Sequence, residues 1–324
     1  MSLVIPVKVK LRGHFHLTAI NADTGEVREL ADFDNLIVNQ GLDFIGKGSP
    51  GNANFFYYGC SVGTGTTPVA PGDVTMQSFL AGTNTTSGAS TSNPGSPNYQ
   101  TLSNLTFTFA TGVAAGNLTE IGIVGIASGD SSATVPHSTS PLFSHSLIMV
   151  GGSPGTITIL SNEILNVVYT ISMFPIITTL TGSFSLNTDG TITSVNYSIL
   201  SSGAGNSSYY NANGGTPINF NVGAGNGLVY SGGLGPVTGL PMGTSAALTG
   251  ATVTRGTYTA GTYFLSWTFN VPVSSGNVSP SIGAITLFQG VQGFYTPIQV
   301  AFSPGIAKTN IQTFSIVANV SWSN

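Results

Sequence analysis

Leu102–Ala110 reads LSNLTFTFA, and its alternation decides the fold. Leu105, Phe107 and Phe109 fall on one side of an extended chain, and Asn104, Thr106 and Thr108 on the other. That is the period of two expected of a half-buried strand. The same pattern recurs outward at Thr156–Leu160, Val167–Met173, Gly182–Leu186, Thr191–Ile199, Tyr263–Phe269 and Phe314–Trp322. Between these runs lie clusters of Gly, Ser, Thr, Asn and Pro, which supply turn chemistry. Two short helices are expected. One is Gln40–Ile45, started by Asn39 and closed near Gly46; the other is Val74–Leu80, capped by Asp73 and stopped by Gly82. Many short strands and almost no helix predict an all-β chain of β-sandwich-like units.

The strand at 102–110 has a counterpart further along. Residues 106–118 read TFTFATGVAAGNL and residues 266–278 read SWTFNVPVSSGNV, at a spacing of 160. Phe107 then matches Trp267, and Phe109 matches Phe269. Val62–Gly65 matches Val222–Gly225 at the same spacing, GHFHL at Gly13–Leu17 matches GSFSL at Gly182–Leu186, and Ile171–Met173 matches Val320–Trp322. Matches in one order predict a tandem duplication. The expected domains are 1–175 and 176–324, with the boundary near Pro175.

Charged residues make up only 6% of the 324-residue chain, against about a quarter in an ordinary domain. A hydrophobic fraction of 41% excludes intrinsic disorder. A net charge of −4 with seven basic residues argues against a nucleic-acid partner, which Lys and Arg would have to meet. Residues 164–324 hold just three charges, Asp189, Arg255 and Lys308. Surfaces of Ser, Thr, Asn and Gly with few charged gatekeepers on their strand edges predict cover by neighbours in an assembly. Cys60 is the sole cysteine, so neither an intrachain disulfide nor a cysteine zinc cluster is expected. The first sixteen residues lack a signal-peptide core, and no window reaches the length of a membrane helix. No membrane insertion is therefore expected.

Chemistry-bearing patterns are sparse. Gly59–Gly63 matches G-x-S-x-G with Ser61 in the middle, but Thr64-Gly65-Thr66-Thr67-Pro68 follows, which cannot begin the helix a nucleophile elbow needs. His14 and His16 share a strand face and have the chemistry of metal ligands, with no third ligand indicated. Glu26, Glu29, Asp32 and Asp34 beside Arg28 read as a solvated hairpin rather than paired carboxylates across a cleft. His137 and His145 sit in Ser/Thr-rich surroundings with no evident partner. The expectation is no enzyme, no cofactor and no metal. Tyr57, Tyr58, Tyr209 and Tyr210 form two pairs flanked by Asn and Gly, suited to stacking on sugars or packing against protein partners.

Phe33–Gly46 reads FDNLIVNQGLDFIG, and Tyr57–Leu80 reads YYGCSVGTGTTPVAPGDVTMQSFL. This block resembles virion proteins of tailed bacteriophages, of the tail-fibre or minor structural type. The resemblance continues through Ala115–Gly122, Leu142–Ser144 and Thr156–Tyr169, covering about residues 12–175. It implies a virion component made in the host cytoplasm, whose partners are copies of itself and other virion proteins. A fibre or baseplate-proximal attachment protein is the first expectation, and a head-decoration or neck protein the second. From other classes, a host-glycan-binding module and a glycan-cleaving spike stay open. Heptads and collagen-like repeats, devices that trimerise long fibres, are absent from the sequence.

Overall fold

A computed structural model describes residues 2–47, 55–92, 100–126, 135–174, 176–188, 190–201, 211–212, 228–237, 239–291 and 294–323. The chain is all-β with one helix among these residues. The first half contains β1 (Ser2–Asn21), β2 (Val27–Ile37), α1 (Asn39–Lys47), β3 (Phe55–Gly63), β4 (Phe79–Thr83) and β5 (Thr86–Ser92). It continues with β6 (Thr101–Phe109), β7 (Glu120–Ile126), β8 (Leu142–Leu147) and β9 (Glu163–Phe174). The second half contains β10 (Leu180–Thr188), β11 (Thr191–Ser201), β12 (Leu228–Tyr230), β13 (Ser245–Ala247) and β14 (Thr252–Arg255). Then follow β15 (Phe264–Val271), β16 (Ile282–Val291), β17 (Phe294–Ile306) and β18 (Phe314–Ser323).

Strand order repeats between the halves. In the first, the sheet runs β1-β2-β8-β7-β3-β4; in the second it runs β10-β11-β17-β16-β12-β13. Every one of these neighbours is antiparallel. A second run, β5-β6-β9, has its counterpart in β14-β15-β18. Phe107 faces Val167 and Phe109 faces Leu165 across β6 and β9. Trp267 faces Ala318 and Phe269 faces Ile316 across β15 and β18. All four aromatics are buried, as the alternation predicts. The match of Val222–Gly225 to Val62–Gly65 lies outside the described residues.

One strand crosses the expected boundary. Lys10–Asn21 of β1 pair antiparallel with β9, while Ser2–Lys10 pair parallel with β18, at the other end of the chain. The larger sheet therefore draws strands from both halves. The larger of two buried apolar clusters among the described residues runs from Leu11 and Phe15 through Phe107 and Tyr169 to Val195, Trp267 and Trp322. In β18 the alternation is complete, with Phe314, Ile316, Ala318, Val320 and Trp322 buried.

The expected helix at Gln40–Ile45 is present as α1, slightly longer. Gly41 is required there, because a Cβ would stand 1.9 Å from the Phe143 carbonyl oxygen of β8. The expected helix at Val74–Leu80 is absent. Residues 73–78 form an irregular loop and Phe79 opens β4. The reason is a better offer for its backbone: the amides of Gln77 and Ser78 donate to the buried Glu120 carboxylate instead of to carbonyls one turn back. Asp73 caps no helix; it accepts from the Ala70 amide and faces His145.

Candidate functional site

The β1–β2 hairpin assembles the densest exposed group of metal-ligating side chains among the described residues. Its turn is set by Asn21, whose Oδ1 accepts from the amides of Asp23 and Thr24, and by Gly25 at a φ of 75°. Register places His14 opposite Asp34 and His16 opposite Asp32. The pairing then shifts between Leu17 and Thr18, so that Leu30 is an extra residue and Thr18 faces Glu29. This bulge does chemistry's aiming. Residues 29 and 32 would lie on opposite faces of a regular strand, and the extra residue brings both carboxylates to one face.

Distances on that face are short. His16 Nδ1 lies 3.0 Å from Asp32 Oδ2 and 3.8 Å from Glu29 Oε1. His14 Nε2 lies 3.1 Å from the other Asp32 oxygen, and His14 Nδ1 lies 2.9 Å from Asp34 Oδ1. Arg12 grips Asp34 through both Nε and Nη2. Partial burial alone would raise the pKa of Asp32, but hydrogen bonds from His16 and His14 hold it below its ordinary value. For Asp34 the same balance is struck by Arg12 and His14. Arg28, expected beside these acids, turns away. Its guanidinium makes a two-pronged bond to Glu163, at 2.9 and 2.8 Å, and caps the Thr158 carbonyl.

A second cluster is buried, and the sequence did not disclose it. His145 of β8 is fully buried between Asp73, 2.7 Å from Nδ1, and Glu120 of β7, 3.0 Å from Nε2. Glu120, also fully buried, accepts from the amides of Gly65, Gln77 and Ser78. Burial opposes a charge on either partner, but the acids raise the His145 pKa overall. His145 and the three amides lower that of Glu120. The arrangement pins the 64–78 loop against β7 and β8. One signal was present in the sequence: Glu120 is a lone titratable residue leading into the apolar run Ile121–Ile126.

A third group joins the halves at α1. Asp43 accepts from the Tyr258 hydroxyl at 2.6 Å and the Gly261 amide at 2.7 Å. Arg255 donates to the Gly46 carbonyl near the helix C-terminus, where a cation is favoured, and lies over the Trp267 ring. Trp322 Nε1 donates to the Leu42 carbonyl, and its ring stacks on Tyr258.

The remaining sequence candidates disperse. Ser61 is buried in mid-β3, facing Gly82 on one side and Gly122 on the other, with no turn into a helix. Cys60 beside it is fully buried. Tyr58 is half-buried, its hydroxyl accepting from Asn84 Nδ2. The Tyr57 side chain, Tyr209 and Tyr210 lie outside the described residues. A cavity of about 330 Å³ between β14, β15 and β18, lined by Thr252, Asn270, Pro272 and Phe314 among others, carries no titratable side chain. Comparison of the chain with protein-family models, curated proteins and solved structures finds no match.

Proposed function

We propose that this chain is a structural protein of a tailed-bacteriophage particle, placed at the tail as a fibre or baseplate-proximal attachment protein. The observation that carries the reading is the edge strand β10. It pairs only with β11 among the described residues, and its nine residues LTGSFSLNT contain neither a charge nor a proline. Free-standing proteins blunt such edges with Lys, Pro or bulges, because unpaired backbone groups recruit further strands. Exposed Ile177, Leu180 and Ile192 flank the same hairpin. An edge left open in a half with three charges is suited to cover by a neighbour, since uncharged hydroxyls and amides desolvate at lower cost than ions.

The setting rests on the motifs within residues 12–175 that resemble those of phage virion proteins, and the repeated strand order is what descent from one duplicated unit would produce. Cryo-EM of intact particles tests the reading. We expect symmetric copies at the tail, each contacting a neighbour through residues 176–324. Particles grown with Ser183→Lys and Ser185→Lys, both on the β10 edge, should lose most of those copies. Copies with no contact through residues 176–324, or full incorporation of the double variant, would overturn it.

A further inference from the structure

We propose that His14, His16, Glu29 and Asp32 form a surface site for one divalent transition-metal ion, Zn²⁺ by the chemistry of the donors. The ligand atoms of His16, Glu29 and Asp32 already lie within 4.8 Å of one another. Bonds of about 2.0–2.2 Å in a tetrahedral site put ligand atoms roughly 3.3 Å apart. The separations of 3.0 Å from His16 to Asp32 and 3.8 Å from His16 to Glu29 bracket that edge. His14 stands outside that close group, with its Nε2 3.1 Å from the second Asp32 oxygen, and moves inward on binding to become the fourth ligand.

Three further features separate this group from an ordinary row of cross-strand ion pairs. First, Asp34 is placed as an orienting partner. It holds His14 Nδ1 at 2.9 Å, which fixes the ring with Nε2 directed at Asp32, and Arg12 anchors Asp34 in turn. Metal-bound histidines characteristically carry such a carboxylate on the ring nitrogen remote from the ion.

Second, the ligands stand on paired strands rather than loop tips, and the bulge at Leu30 is what brings Glu29 to the common face. Third, charge is unbalanced. Three carboxylates, Glu29, Asp32 and Asp34, face one permanent cation, Arg12, so two negative charges are unmatched whenever the imidazoles are neutral. On the other flank, β9 offers Asn166, Val168 and Thr170, none of them charged. Imidazole with carboxylate suits zinc and its transition-metal neighbours, whereas Mg²⁺ and Ca²⁺ favour all-oxygen sets of six or more ligands.

The test is calorimetric titration of the full chain, stripped with chelator, using Zn²⁺ alone and then Mg²⁺ and Ca²⁺. We expect one Zn²⁺ per chain, protons released on binding, and no comparable uptake of Mg²⁺ or Ca²⁺. His16→Ala and Asp32→Asn should each weaken binding by at least about tenfold, and Asp34→Asn by about tenfold through His14 alone. His137→Ala should leave it unchanged. All four substituted side chains are exposed to solvent to a substantial degree, and circular dichroism will verify that each variant folds. Substituting Co²⁺ should give visible absorption typical of a four-coordinate nitrogen–oxygen site in the parent chain and not in His16→Ala. Failure of the parent chain to bind Zn²⁺ at tens of micromolar, or parental affinity in both His16→Ala and Asp32→Asn, would overturn the site.

Discussion

Glu120 and His145 show how much one buried pair can control. Each carries the other's counter-charge, and Glu120 also satisfies three backbone amides of the 64–78 loop. Removing one member of a buried pair leaves the other charge uncompensated, at a cost of about 3–5 kcal/mol. The Glu120 pKa is lowered in the fold, so its contribution is present above its ordinary value of 4.5 and is lost as pH falls through the folded value. The His145 pKa is raised, so its contribution is complete below 6.5 and is lost as pH rises through the folded value. The stability advantage of the parent chain over His145→Gln should therefore be greatest between about pH 4.5 and 6.5, shrinking on either side. Urea midpoints measured across pH 3.5–9 will show this window, and a flat difference would refute it.

At the scale of elements, alternation does most of the work and irregularities aim the side chains. Phe109 on β6 is fully buried against β9, beside Phe107 and Leu165. Truncation to Ala would leave a cavity in the continuous core and should cost ~3–5 kcal/mol. Equilibrium denaturation reads this directly, and a loss below ~1 kcal/mol would mean that the neighbours collapse into the space. The bulge at Leu30 is the reverse case, a break in alternation that exposes Glu29 beside Asp32. Helix α1 is a third. It is amphipathic enough to be read from sequence, yet the Asp43 carboxylate and the Gly46 carbonyl accept from Tyr258, Gly261 and Arg255, more than 200 residues away.

For the whole molecule, the decisive connection is Ser2–Lys10 lying along β18. In the first half, β9 is flanked by β6 and β1; in the second, β18 is flanked by β15 and by this same first strand. The N-terminal segment thus takes a place beside β18 that β10, the counterpart of β1, leaves open. Both tryptophans, Trp267 and Trp322, belong to this part of the sheet, so their fluorescence reports its unfolding. Deleting residues 2–9 should lower the fluorescence midpoint in urea by more than it lowers the far-ultraviolet midpoint, two signals that are expected to coincide if the full chain unfolds in one step. An unchanged fluorescence midpoint would show that the α1 contacts suffice to hold the second half.

The sequence by itself determined the all-β class, most strands, the burial of Phe107, Phe109, Trp267 and Phe269, and the position of α1. These follow from local periodicity and turn chemistry, which a chain carries wherever it folds. It misread Val74–Leu80, because that segment's amides are claimed by Glu120, some forty residues distant. It found His14 and His16 as a facing pair but gave them no third ligand, since the carboxylates arrive through cross-strand register and a one-residue bulge. Only the tertiary structure decided that His145 lies between two acids and that residues 2–10 reach across to β18. Pairing between strands is chosen by the energy of the assembled sheet and core, and no window of neighbouring residues contains that sum.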